Sequence, residues 1–163
     1  MLLYVMRHGP AEDHAPTGRD FDRALSRAGR EVVVRAARAL HEARRPLADH
    51  PWRLLTSPFR RALETAEIVA AAAPVAPEIE IHDDLAADAG LPLGLVHELA
   101  AAGTDTVLVG HQPVVEALAR ELLHPVRPPL PGGFRTAIIL ALEPVGPDRW
   151  RLATLVDPHR PDP

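Results

Sequence analysis

The amino-acid sequence predicts an α/β fold built on a largely parallel sheet, and two observations carry this prediction. Short apolar runs typical of buried strands alternate with longer segments whose apolar residues recur at helical spacing. Such alternation is typical of βαβ units, in which the strands run parallel. The last two runs, Arg135–Leu142 and Trp150–Val156, flank a turn with Gly146-Pro147 and predict a closing hairpin, so we expect the sheet to be mixed.

Each predicted strand before the hairpin is a short run that suits the interior of a sheet. The first ends abruptly in Arg7-His8-Gly9, and the fourth ends before Gly110. Ligands of open α/β sheets bind outside the carboxyl ends of the strands, so these ends are where we expect functional side chains. The four predicted strands are Leu2–Met6, Arg53–Thr56, Glu78–Ile81 and Thr106–Val109.

Four helices are predicted between and after these strands. The apolar residues of the first recur at helical spacing, and its arginines are interpreted as the solvated face. Pro74 follows the second helix and Gly103 ends the third. The predicted helices are Ser26–Arg45, Pro58–Ala73, Leu93–Ala102 and Pro113–Leu123. The arginines assigned to water in the first helix are Arg27, Arg30, Arg35, Arg38, Arg44 and Arg45.

Length and composition indicate a soluble globular protein. The 163 residues suit one domain, expected over residues 1–156, with residues 157–163 as a frayed tail. A formal charge of -4 gives no electrostatic reason to expect nucleic acid or an anionic membrane as a partner. The apolar start is too short for a signal peptide or a membrane span. The absence of cysteine excludes disulfides and thiolate chemistry and favours a reducing cytoplasm, while the oligomeric state is left open.

Two adjacent arginines begin the helix that follows the second strand, in the stretch SPFRRALETAE. Ser57 is expected to cap this helix, with Pro58 at its first position. Cations are disfavoured at a helix N-terminus by about 0.3–1 kcal/mol each, because that end already carries partial positive charge. A bound anion would reverse the sign of this effect, so the arginines indicate an anion site.

Helical spacing separates the two arginines. Arg60 shares a face with Glu64 and Glu67, which is the pattern of a solvated, salt-bridged surface. Arg61 lines up instead with Thr65 and Ile68, on a more inward face. We therefore assign Arg61 to the site and Arg60 to the surface.

The third junction, VLVGHQPVV, places His111 between a strand and a helix. If the strands are parallel, His111 joins Arg7, His8 and Arg61 at one edge of the sheet. No partner carboxylate is evident from the spacing, so we expect this group to repel itself unless an anion lies among it. A tetrahedral phosphate, with several oxygens to bind, is the simplest candidate.

Other binding devices find no support in the sequence. There is no GxxxxGK[ST], GxGxxG or GxSxG motif. The remaining histidines show no HExxH or other close ligand spacing, so no metal site is predicted and they are interpreted as structural or surface residues. These are His14, His41, His50, His82, His97, His124 and His159.

The ordered motifs resemble those of the histidine phosphatase superfamily, also called phosphoglycerate mutase-like. RHG follows the first strand, SPFRRALETA matches the second arginine motif, VGHQPVV matches the second histidine motif, and ALSRAGR resembles the L-[ST]-x-x-G element. The resemblance covers the chain from Leu2 to about Ile139. The small size, the short span after RHG and the SPF form are most similar to the SixA-type phosphohistidine phosphatases.

The resemblance implies a three-layer αβα sandwich and a covalent mechanism. His8 would attack phosphorus and carry the phosphoryl group until water removes it. Arg7, Arg61 and His111 would stabilise the charge on the phosphoryl oxygens, which is most of what this chemistry requires. The resemblance implies neither a metal nor another cofactor. Its substrate would be a phosphorylated protein, phosphohistidine above all, or a small phosphorylated compound.

Three further residues take roles from the resemblance. Gly9 would let the backbone approach the phosphate, and Arg23, which precedes ALSRAGR, would bind substrate. Larger family members use a glutamate as general acid, but the corresponding stretch here, IHDDLAADAG, contains none. Asp84 is the nearest match. A weak or missing acid would handicap alkyl phosphates more than phosphoramidates or aryl phosphates.

Two alternatives stay open at this stage. One is a sugar-phosphate phosphatase or mutase. The absence of insertions that would build a substrate cap counts against it. The other is a non-catalytic phosphate-binding module, against which the intact set of Arg7, His8, Arg61 and His111 counts. An activity screen without added metal would separate all three.

Overall fold

A computed structural model describes residues 1–44, 51–126, 130, 133–146 and 148–160. One sheet is flanked by helices on both faces, and its strands lie in the order β3-β2-β4-β1-β5-β6. The strands are β1 (Leu3–Arg7), β2 (Trp52–Thr56), β3 (Ile79–Ile81), β4 (Asp105–Gly110), β5 (Ile139–Gly146) and β6 (Arg149–Val156). The helices are α1 (Arg27–Arg44), α2 (Arg60–Ala71), α3 (Leu93–Ala102) and α4 (Val114–Leu123). Strands β1 to β4 are parallel, and β5 and β6 pair antiparallel, which confirms the mixed, mostly parallel sheet.

Successive side chains of the central strands pack alternately into two separate apolar cores. On β1, Val5 packs in the core formed with α3 and α4, where it joins Leu118. Met6 packs in the opposite core, formed with α1 and α2, where it joins Val33. The helices therefore cover both faces of the sheet and give the three layers that the resemblance implies.

Most predicted element bounds agree with the structure to within one residue, but α2 begins later than expected. The Oγ of Ser57 accepts a hydrogen bond from the N–H of Phe59 at 3.2 Å, and Phe59 keeps an extended backbone. The helix consequently starts at Arg60, and the prediction of Ser57 as its cap and Pro58 as its first residue is wrong. Ser57 lies in a turn before the helix.

Strand β5 also begins later than predicted, at Ile139 rather than Arg135. Ala137 takes a left-handed backbone conformation, with φ of 61°, that breaks the extended chain. The N–H of Ile138 donates to the carbonyl of Arg135 at 3.3 Å and closes a turn there. The predicted hairpin is present, with Gly146 in β5, whereas Pro147 of the predicted turn lies outside the described residues.

One arginine of α1 differs from its prediction. Arg27, Arg30, Arg35 and Arg38 are exposed as expected, but Arg44 is buried in the last turn of the helix. Its guanidinium lies over the ring of Trp52, at 4.7 Å, and 3.7 Å from the carboxylate of Asp105. The approach of α1 to the start of β2 and β4 thus removes Arg44 from water, while Arg45 lies outside the described residues.

The predicted frayed tail is partly tied to the body of the protein. Asp157 accepts a hydrogen bond from Arg135 at 2.7 Å, and the His159 ring donates to the carbonyl of Thr136 at 2.7 Å. Residues 161–163 lie outside the described part of the chain. Among the helices that the structure describes, none has the length and apolar character needed to cross a membrane.

Candidate active site

Three strand-to-helix junctions meet at the carboxyl edge of the sheet, as predicted. Arg7 at the end of β1 pairs with Gly110 at the end of β4, and the N–H of His8 donates to the Gly110 carbonyl at 3.0 Å. The N–H of Ser57, just after β2, donates to the carbonyl of Val109 at 3.0 Å. Backbone pairing therefore fixes the three junctions against one another before any side chain is considered.

His8 is buried and its ring orientation is set by two hydrogen bonds. Nδ1 donates to the carbonyl of Gly9 at 2.7 Å, and Nε2 accepts from Nε of Arg61 at 3.2 Å. Burial, opposed by the hydrogen bond to the Gly9 carbonyl and helped by the guanidiniums of Arg61 and Arg7, lowers the pKa of His8 to about 4. The ring is therefore neutral at pH 7, with its lone pair on Nε2.

His111 is the second buried imidazole of the edge. Its ring centroid lies 4.9 Å from that of His8, and its Nε2 lies 2.7 Å from the hydroxyl of Ser57. Burial lowers the pKa of His111 to about 3, helped by His8 and Arg61. The Ser57 hydroxyl can donate its proton to Nε2, and in that tautomer the proton of His111 lies on Nδ1.

The two guanidiniums of the edge are both held by backbone carbonyls. Arg7 donates from Nη1 to the carbonyl of Phe134 at 2.9 Å, and burial lowers its pKa. Arg61 is buried and donates from Nη1 to the carbonyl of Asp20 at 2.8 Å. In the described part of the chain, Nε of Arg7 and Nδ1 of His111 are buried without a hydrogen-bond partner. Nε of Arg7 is a donor available to an anion, and Nδ1 of His111 is a second one in the tautomer in which Ser57 donates to Nε2.

A carboxylate that the sequence did not reveal lies beside this group. Asp20 accepts from Nη2 of Arg61 at 3.0 Å and from Nη1 of Arg23 at 2.8 Å. The hydrogen bond from Arg23, and then that from Arg61, lower the pKa of Asp20, so it stays ionised. The cationic edge therefore has a carboxylate partner that the spacing did not make evident, so its cations are not left to repel one another without an anion. The pair at i,i+3, Asp20 and Arg23, was the only local signal, because Arg61 lies far away in sequence.

The separation of Arg60 from Arg61 is confirmed, with one correction. Arg60 is exposed and donates to Glu64 at 3.0 Å. Glu64, however, is buried rather than solvated, and it also accepts the N–H of Leu25 at 2.7 Å. Although burial alone would raise the pKa of Glu64, these hydrogen bonds lower it. Glu64 thus ties α2 to the segment that leads into α1.

The remaining predicted site residues lie at different distances from the buried histidines. The N–H of Gly9 donates to Thr65 at 3.1 Å, and a side chain at Gly9 would collide with Val33, so packing requires this glycine. Arg23 lies at the edge of the site, where Asp20 connects it to Arg61. Asp84 lies in a 3-10 turn after β3, with its side chain 61% exposed and 3.7 Å from Nδ1 of His82. The structure gives no contact between Asp84 and His8 or His111 within the described residues.

Among the described residues, no three histidine or acidic side chains converge in a way that could hold a metal ion. The site is instead a set of two neutral imidazoles and two guanidiniums with one carboxylate at its rim. Such a set can bind a tetrahedral oxyanion by its N–H groups while the Nε2 of His8 faces the central atom.

Comparisons with known proteins agree with this chemistry. Residues 3–95 match the model of the histidine phosphatase superfamily (branch 1). An uncharacterized protein of Picosynechococcus sp. is 39% identical over 116 residues, which cover 69% of this chain and 67% of that protein.

Among solved structures, the protein histidine phosphatase SixA complexed with tungstate has a TM-score of 0.81 and 26% identity, covering 97% of both chains. SixA of Agrobacterium tumefaciens has a TM-score of 0.75 and 27% identity, over 96% of this chain and 97% of that one. A mycobacterial glucosyl-3-phosphoglycerate phosphatase shares the fold, with a TM-score of 0.65 and 23% identity over 93% of this chain and 96% of the other.

Proposed function

Because this chain belongs to the histidine phosphatase superfamily (branch 1) and is a phosphatase, we propose that it transfers the phosphoryl group of its substrate to His8. The orientation of the His8 ring is the observation that carries the proposal. Its Nδ1 proton is held by the Gly9 carbonyl, and its lowered pKa keeps Nε2 unprotonated at neutral pH. A neutral imidazole held in this way is a competent nucleophile.

In the first step, Nε2 of His8 forms a bond to phosphorus as the bond from phosphorus to the leaving atom breaks. The leaving atom takes the bonding electron pair and gains a proton from solvent or from an acid. Nε of Arg61, which donates to Nε2 of His8, is close enough to donate to a phosphoryl oxygen instead. Arg7 and His111 would supply their buried N–H groups to the other oxygens, where charge develops.

In the second step, water attacks the phosphorus of phosphorylated His8. The bond from Nε2 to phosphorus breaks, inorganic phosphate leaves, and the electron pair returns to the ring. The Gly9 carbonyl holds the ring in the same orientation throughout, so the lone pair is restored at the atom that began the cycle. The cycle needs only the residues already named and water.

The substrate that we propose is phosphohistidine in a protein, or a small phosphorylated compound with a comparably good leaving group. Similarity to SixA over nearly the whole chain supports the first choice. The chemistry of the site supports it independently, because Asp20 stays ionised beside two arginines and is a poor proton donor. A leaving group that needs little protonation suits such a site.

The proposal is tested by rapid quenching with phosphohistidine protein and p-nitrophenyl phosphate as substrates. Wild-type protein is expected to form an acid-labile phosphoenzyme and to turn over, and His8→Ala is expected to do neither. Turnover by His8→Ala within a few-fold of wild type would overturn the covalent mechanism. A sugar-phosphate substrate preferred over both probes would overturn the substrate assignment alone.

We also propose Asp84 as the general acid for substrates with poor leaving groups, although it is exposed. Asp84→Asn should then slow an alkyl phosphate far more than p-nitrophenyl phosphate, because a good leaving group needs little proton transfer. An equal effect on both substrates would mean that Asp84 is not the acid.

A further inference from the structure

A run of four rings leads from the nucleophile to the protein surface. The His8 and His111 rings lie 4.9 Å apart, His111 and Phe59 lie 4.9 Å apart, and Phe59 and Phe21 lie 4.9 Å apart. All three pairs are tilted or edge-on, in the range that aromatic rings prefer. We call Phe21 and Phe59 the aromatic rim.

Exposure is greatest at the outer end of this run. His8 and His111 are buried, Phe59 is half-buried, and Phe21 is 43% exposed. Burial of a phenyl ring is favourable, so a ligand that covers the exposed part of Phe21 would be stabilised by that contact. The rim therefore offers a partly exposed ring at the outer end of the run that begins at His8.

Contacts with the residues of the candidate active site hold the aromatic rim in place. Phe21 lies in a 3-10 turn between Asp20, which bonds Arg61 and Arg23, and Asp22, which bonds Arg19 at 2.8 Å. The Arg61 guanidinium lies 5.0 Å from the centre of the Phe59 ring. Both rings of the rim are thus held in place by contacts that also position Arg61.

The direction of the reaction decides which part of a substrate meets the rim. Phosphoryl transfer places the attacking and leaving atoms roughly in line on opposite sides of phosphorus. His8 attacks from the buried floor of the site, so the leaving group must depart outward, towards the opening. The run of rings reaches the surface at Phe21, so we place the leaving group on that side, beside Phe59 and Phe21.

Building on the proposed phosphatase function, we propose that the aromatic rim is a leaving-group subsite selecting phosphoryl groups carried on a flat aromatic ring, either aryl or imidazole. In this arrangement a flat ring stacks on Phe21 and contacts the ring of Phe59 edge-on, and neither phenylalanine has to move. An aryl or imidazole leaving group also departs with little protonation. This matches a site in which the Asp20 carboxylate stays ionised. Selection here acts on the shape of the leaving group and is separate from its acidity.

The test compares two activated substrates that differ in the presence of a ring. The leaving group of p-nitrophenyl phosphate contains an aromatic ring. The leaving group of acetyl phosphate, acetate, departs readily and has no ring. Phe21→Leu keeps apolar bulk and removes the ring. We expect kcat/KM for p-nitrophenyl phosphate to fall about three- to tenfold, from the usual strength of an aromatic pair. We expect kcat/KM for acetyl phosphate to change less than twofold.

Two further variants guard the interpretation. Phe21→Trp, which offers a larger ring, should lower KM for p-nitrophenyl phosphate. Val145→Ala, at an exposed apolar position on the far end of β5, should change neither substrate. Equal losses on both substrates with Phe21→Leu, or no loss, would overturn the subsite while the phosphatase stands. Wild-type protein inactive on both substrates would overturn the subsite, and the proposed function would fall with it only if phosphohistidine protein were not turned over either.

Discussion

Two buried arginines lie at opposite edges of the same sheet and have opposite surroundings. Arg44, at the amino edge, lies against the rings of Trp52 and Tyr4, with the buried carboxylate of Asp105 as its counter-ion. Arg61, at the carboxyl edge, donates to the nucleophile candidate His8 and to a carboxylate that is half in water. Sequence spacing assigned Arg44 to the solvent and Arg61 to the interior.

The comparison teaches that burial of a charge does not by itself identify a functional residue. The groups around Arg44 are apolar ring faces and an acid that also accepts the N–H of Leu2 at 2.7 Å, so they bind the end of α1 to the sheet. The groups around Arg61 include a ring whose lone pair it touches. What a buried cation donates to is the informative observation.

The largest expected effect is on stability at the amino edge. Arg44→Met removes one member of a buried ion pair and leaves the Asp105 carboxylate unpaired, which we expect to lower the free energy of unfolding by about 3–5 kcal/mol. Turnover per folded molecule should stay near wild type. Urea unfolding followed by fluorescence measures the first quantity. Loss of turnover in fully folded Arg44→Met would break the contrast between the two edges.

At the carboxyl edge the effect should fall on turnover. Arg61→Ala removes a charge-assisted contact to the phosphoryl group, so kcat should drop about 10²–10³-fold. Its exposed neighbour gives a matched control, since Arg60→Ala should cost only about 0.5 kcal/mol of stability and little activity. Steady-state assays with p-nitrophenyl phosphate decide the point. Similar losses in the two variants would show that the assignment of helix faces is wrong.

Acid should weaken the carboxyl edge through its histidines. The pKa of His8 is about 4 when folded, below its ordinary value, so the unfolded chain binds the proton more tightly. This stabilisation is complete above about pH 6.5 and is lost as pH falls towards 4, by on the order of 3 kcal/mol. Unfolding measured from pH 7.5 to 4 should show a steeper loss in wild type than in His8→Asn. Parallel curves would contradict the lowered pKa.

A smaller effect is expected from Asp20, which orients Arg61. Asp20→Ala should lower kcat about tenfold, with almost no further loss when Arg61 is already alanine, since the two act as one unit. Asp22 lies in the same turn but pairs with Arg19, so Asp22→Ala is the matched control. Full additivity of Asp20→Ala and Arg61→Ala would show that Asp20 does not act through Arg61.

The sequence predicted what depends on local pattern. Apolar runs located the strands, and parallel strands bring their carboxyl ends together, so the meeting of His8 with His111 followed from chain order. The choice of Arg61 over Arg60 needed only the helical period. The choice of Arg61 rests on neighbours within two turns of one helix, and the meeting of the histidines rests on a general rule of parallel sheets, so neither needed a specific long-range side-chain contact.

What the sequence could not predict depends on contacts between distant segments. Asp20 meets Arg61 only after the chain has passed through α1 and β2. The burial of Arg44 requires the ring of Trp52, which comes from the next strand, and the late start of β5 follows from the unusual backbone of Ala137. Phe21 showed no pattern that would link it to Phe59, because a single aromatic residue in a loop carries no period.

The central place of β1 in the sheet has a consequence for how the protein fails on heating. The amide protons of Arg7 and His8 are bonded to the carbonyls of Ile138, just before β5, and of Gly110, at the end of β4. We expect protons in such positions to exchange with solvent only when the whole molecule opens, and a short 3-10 turn such as that of Phe21 to open at a lower free energy. The nucleophile should therefore keep its alignment through every local fluctuation that loosens the rim. Selectivity for the leaving group would fade first on warming, and the capacity to be phosphorylated would persist until global unfolding.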